Sequence, residues 1–180
     1  MPPSTPQPPT LLQNVEQVLP FDEIFPTSAL LLGGLVLIGV VLLHGIVMRW
    51  VQNHVAARDP FIRTSPHAWR SDLVMASVIL VLLNGALLEV TLWTAALKYS
   101  SLFPTWASAA AYAASSYTTL GNASRNPPPG WGMVGPIIAI SGLFTFGWSG
   151  SVLVNVVHRV GLARDAARAT GAATPRGDGR

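Results

Sequence analysis

The sequence contains no cysteine. Disulfides and thiolate metal sites are thereby excluded. Charge is scarce as well: Asp, Glu, Lys and Arg make up 11% of the 180 residues, against roughly 25% in soluble domains. Half of the chain is hydrophobic instead. The four His are scattered and form no close pair at metal-ligand spacing. The net charge is only +3, and the basic residues do not cluster with aromatics as a nucleic-acid surface requires. The hydrophobic runs hold no paired carboxylates, His clusters or nucleophile-base sets, so no enzyme activity and no cofactor are expected. Residues 1–27 lack Lys and Arg and open with MPPSTPQPPT. A secretory signal needs a basic start and an apolar core. The segment is read instead as a Pro-rich extracytoplasmic arm, disordered over Met1–Thr10, with a short interfacial helix near Leu11–Leu19.

Long apolar runs are what the chain does have. Ser28–Met48, Leu73–Leu97 and Met133–Val157 each reach the ~20 residues needed to cross a hydrocarbon core. Pro104–Tyr117 is different. At ~1.5 Å per residue it measures roughly 20 Å, short of the ~30 Å core, and it predicts a re-entrant or buried helix. Pro104 suits its first turn, where a missing N–H costs nothing. The expected fold is all-α and integral to the membrane: three transmembrane helices plus a re-entrant helix and the loop after it, which the resemblance given below makes a pore helix and filter loop. The boundaries are an extra helix at 28–48, a cytoplasmic loop at 49–72 and a pore domain at 73–158. The last comprises an outer helix (73–97), pore helix (104–117), filter (118–124) and inner helix (133–157). A basic cytoplasmic tail, 159–180, follows, and the chain after Gly161 is expected to fray.

The basic residues orient these spans. Arg49, Arg58, Arg63 and Arg70 lie between the first and second, and Arg159, Arg164, Arg168, Arg176 and Arg180 follow the third. Only Lys98 and Arg125 fall in the connection that holds the short helix. The positive-inside rule then places the N-terminus outside and the C-terminus in the cytoplasm of a multi-pass protein of the inner (plasma) membrane. The Arg-rich tail can touch anionic lipid.

The short helix runs into Thr118-Thr119-Leu120-Gly121-Asn122-Ala123-Ser124. Irregular backbone at membrane depth survives only when enclosed by protein or lining a watery cavity. One chain cannot enclose this loop, whereas four copies around an axis would, each supplying one loop. The C-terminal end of the short helix carries about −0.5 elementary charge and favours a cation. Backbone carbonyls and the Thr119 hydroxyl can replace an ion's hydration shell. The plainer reading is a helix C-cap, since Gly often stands just past a helix end.

Three segments carry a family resemblance: Leu87-Leu88-Glu89-Val90-Thr91-Leu92-Trp93, then Ala111-Tyr112 through Thr118-Thr119-Leu120-Gly121, then Gly142-Leu143-Phe144-Thr145-Phe146-Gly147-Trp148-Ser149. Over Leu83–Val157 the chain resembles the two-helix-plus-pore-loop potassium channels of bacteria, and in particular the small members with an extra first helix. The resemblance implies a homotetramer that conducts cations passively. Its filter pattern, Thr-Val/Leu-Gly-Tyr-Gly-Asp, matches at Thr119, Leu120 and Gly121. Asn122 stands for the Tyr, Ala123 for the second Gly and Ser124 for the Asp. Conduction is expected at Thr118, Thr119, Leu120, Gly121 and Asn122, with monovalent cations held at Thr119, Leu120 and Gly121. Ala at a position suited to Gly strains the backbone, so K+ is the expected ion with reduced discrimination against Na+. The same departure motivates the alternative, a non-conducting channel-derived membrane scaffold or accessory subunit.

Other residues have two readings. Glu89 is an intramembrane carboxylate and functional by default; the resemblance implies filter support, shared with Ala123 and Ser124. Gly142, then Gly147, are gating-hinge positions by resemblance, and close-packing glycines by composition. Asn84 is read as an inter-helix hydrogen-bonding residue. His44 is read as packed and hydrogen-bonded. Trp93, Trp106, Trp131 and Trp148 suit interfacial anchoring or packing.

Overall fold

The computed structural model describes residues 26–63, 68–121 and 126–173. The arm, the helix expected at Leu11–Leu19 and Asn122–Arg125 lie outside the described residues. Four helices follow in order: α1 (Thr27–Arg63), α2 (Ala68–Tyr99), α3 (Trp106–Tyr117) and α4 (Val134–Ala173). Three of them contain stretches long and apolar enough to cross a membrane: Thr27–Arg58, Trp69–Tyr99 and Val134–Ala166. Each stretch exceeds 30 residues, or roughly 45 Å. Their ends therefore extend beyond a ~30 Å hydrocarbon core.

The long helices outrun the apolar stretches read from the sequence. α1 continues from Met48 to Arg63, with Pro60 in its last turn. α4 continues into the basic tail as far as Ala173, so the fraying expected after Gly161 does not begin there. Hydropathy changes where hydrocarbon would give way to water, and Ala- and Arg-rich sequence remains helical beyond that point.

Packing follows helical spacing. α1 buries Val40, His44, Met48, Val51 and Val55 and exposes Leu31, Leu35, Ile38, Leu42 and Ile46. Both sets recur every three or four residues, so one face meets protein and an apolar face is left over. α1 packs on α2 and α4, and α3 wedges between α2 and α4. Two core clusters result. One joins Trp93, Leu97, Tyr112, Ala113, Tyr117 and Ile138. The other joins Met48, Val51, Val78, Val152 and Val156 and has no residue of α3. The short helix thus fills only the half of the bundle that holds the start of α4.

Two sequence readings are corrected. Pro104 lies before the helix and Thr105 is its N-cap, because the Thr105 side chain can accept an orphan amide bond. Asn84 donates to the Leu80 carbonyl of its own helix at 2.8 Å, on an exposed face. Among the described residues of the single chain, its amide makes no hydrogen bond to a neighbouring helix.

Candidate functional site: the end of the short helix and its buried support

α3 is fixed at both ends. At its start, the Ser108 amide donates to Thr105 Oγ1 at 3.1 Å. The Thr105 amide donates back to Ser108 Oγ at 3.3 Å, completing a capping box. Lys98 Nζ donates to the Pro104 carbonyl at 2.9 Å and holds the approach to the helix.

At its end, the amides of Thr119 and Leu120 donate to the carbonyls of Ser116 and Ser115 at 3.0 and 2.9 Å. This is a Schellman cap. Its left-handed position is held by Thr119, with φ 58°. Gly121, at φ 71°, is the second left-handed residue of the loop. A rule that looks for Gly just past the helix selects Gly121, two residues late. Thr118, Thr119, Leu120 and Gly121 are all exposed in the single chain. Among the described residues, these four adjacent carbonyls accept no backbone hydrogen bond and belong to exposed residues. Asn122, Ala123 and Ser124 lie outside the described residues.

Behind the loop stands a buried polar chain. Tyr117, the last residue of α3, donates its hydroxyl to Glu89 Oε2 at 2.6 Å. The other carboxylate oxygen of Glu89 lies 2.7 Å from His44 Nδ1. Tyr117 Oη is also 2.7 Å from Thr145 Oγ1, so all four helices meet at this point. Glu89 is wholly buried and His44 is 3% exposed. As an ionised carboxylate Glu89 would accept from both neighbours, with the His44 proton on Nδ1. Hydrogen bonds of this charge-assisted kind are short and strong in a low dielectric. A second link lies one helical turn further along α2: Trp93 Nε1 donates to Ser141 Oγ at 3.0 Å, joining α2 to α4.

Gly142 lies against the same junction. A Cβ there would run into the Tyr117 carbonyl oxygen. Gly147 has open space around it. The two positions paired in the sequence reading are therefore physically unlike. Where α3 stops, a cavity of about 220 Å³ remains, lined by His44, Glu89, Tyr117, Thr145 and Ser149 together with apolar side chains such as Leu82 and Phe146.

Sequence reasoning singled out Glu89 and Thr118–Gly121. It gave no role to Tyr117 or Thr145. The available signal was Glu89 itself, since an intramembrane carboxylate requires partners. Among the described residues no group of three or more His, Cys, Asp or Glu is arranged to hold a metal ion. Compared with known proteins, the chain matches no family model, no curated protein and no solved structure.

Proposed function

We propose that the chain is one subunit of a homotetrameric, potassium-channel-like membrane channel that passes monovalent cations passively. The filter is Thr118–Asn122, α3 is a re-entrant pore helix and α4 lines the inner cavity. The observation that carries this reading is the short helix that ends against Glu89 and hands the chain to four exposed, carbonyl-bearing residues. Glu89 lies ten residues inside the end of α2, about 15 Å along the helix. Exposed carbonyls at that depth require enclosure, and copies of the same chain supply it. The helix dipole then favours a cation at the loop.

The orientation follows from charge. Arg49, Arg58, Arg70, Arg159, Arg164 and Arg168 belong to the same end of the antiparallel bundle, which is the cytoplasmic end by the positive-inside rule. The loop enters from outside. Potassium passes, and sodium is poorly rejected because Asn122, Ala123 and Ser124 replace the residues that complete the outer sites in the channels it resembles.

The test is ion flux into liposomes holding the purified protein. Entry of both K+ and Na+ along their gradients is expected, with K+ favoured by less than about tenfold. No flux of either ion at any voltage or pH rejects the proposal. The Asn122-Ala123-Ser124 departure favours a second reading, a channel-derived subunit that no longer conducts. Conduction by an Asn122→Tyr, Ala123→Gly double variant, with a silent wild type, would establish that reading.

A further inference from the structure

A pore of this kind is built from α2, α3, the loop and α4, which leaves α1 without a task. Yet α1 makes the contact that completes the buried polar chain. Its His44 Nδ1 sits 2.7 Å from Glu89 Oε1. Glu89 accepts from Tyr117, and Tyr117 is the residue before the loop. Three side chains therefore connect the first helix to Thr118.

We propose that His44 is a positioning residue for the ion filter. It holds the Glu89 carboxylate against Tyr117 and so sets the height and direction at which α3 delivers the chain to Thr118. α1 is thus part of the filter's support and not an accessory anchor. The inference rests on the channel reading for its effect on ions, but not for its effect on the loop.

The physical argument concerns what Glu89 does without His44. A buried carboxylate that loses one partner is strongly destabilised. It must turn toward another donor. The described surroundings offer Tyr117 and Thr145, and a cavity wall that is apolar apart from Ser149. Such a turn changes the acceptor that Tyr117 points at. The Tyr117 carbonyl is meanwhile pressed on Gly142, so any movement of the Tyr117 ring is passed to the backbone that starts the loop.

The test compares His44→Leu, which removes the donor at similar bulk, with His44→Asn, whose amide nitrogen can take the place of Nδ1. Tyr117→Phe breaks the same connection while leaving His44 and Glu89 paired. Hydrogen exchange at the amides of Thr119, Leu120 and Gly121, in protein reconstituted in lipid nanodiscs, reads the loop directly. His44→Leu and Tyr117→Phe should each exchange about tenfold faster than wild type, and His44→Asn within about twofold of it. If His44→Leu does not assemble, the Tyr117→Phe and His44→Asn results decide. Unchanged exchange in Tyr117→Phe, or equal loosening in His44→Asn and His44→Leu, overturns the proposal. The second readout is the K+/Na+ permeability ratio from reversal potentials. It should fall by at least about threefold in His44→Leu and Tyr117→Phe and stay near wild type in His44→Asn. An unchanged ratio in both of the first two, in a conducting protein, also overturns it. A silent wild type refutes the channel reading alone, and the exchange result then decides whether His44 positions the loop.

Discussion

Thr119 occupies a left-handed backbone conformation that β-branched residues avoid. The penalty is about 1–2 kcal/mol per chain. Thr119→Gly removes it, and the variant should unfold at a higher temperature in detergent; in the proposed channel it should also lose K+ flux, because the hydroxyl goes with the strain. A variant of unchanged or lower thermal stability would show that Thr119 is not strained. Gly142 and Gly147 make a contrasting pair. Gly142→Ala places a methyl against the Tyr117 carbonyl, and the resulting displacement should cost on the order of 3 kcal/mol. Gly147→Ala enters open space and should gain up to ~1 kcal/mol in helix propensity. Thermal unfolding of the two variants side by side checks both signs. A hinge at Gly142 would have to carry Tyr117 with it, so bending there and loop geometry are coupled.

At the scale of elements, α3 depends on its capping box more than a longer helix would. Its 12 residues are marginal for a helix without tertiary support. Thr105→Ala should cost about 1 kcal/mol. Ser108→Ala should cost a similar amount, and the double variant less than the sum, because both residues serve one motif. Amide exchange across Trp106–Ala110 measures this. The short helix itself was legible from its length, as were the three apolar stretches. Its true start was not: Pro104 is the conspicuous residue, whereas the hydrogen bonding is done by Thr105. The ends of α1 and α4 were hidden because hydropathy reports the solvent around a helix and not the helix. The loop at Thr118–Gly121 could be read from its spacing after the short helix. The pairing of Glu89 with His44 could not, because the two are 45 residues apart and only helix packing aligns them. The exposed face of Asn84 was unreadable for the same reason.

At the scale of the molecule, charge and topology are the quantities to measure. The lack of cysteine makes single-cysteine labelling clean. In sealed right-side-out vesicles, Pro128→Cys should react with a membrane-impermeant maleimide and Asp165→Cys only after permeabilisation. The reverse pattern would invert the orientation. Both native positions are exposed in the single chain. The contact between His44 and Glu89 also bears on how the protein is made. Synthesis proceeds from the N-terminus, so if the three apolar helices cross a bilayer, α1 enters it before α2 and its carboxyl group. An unaccompanied Glu at mid-span is costly to insert, but here a partner is waiting. The first helix can thus act as an internal chaperone for the second, covering its carboxyl group until Tyr117 emerges to complete the junction.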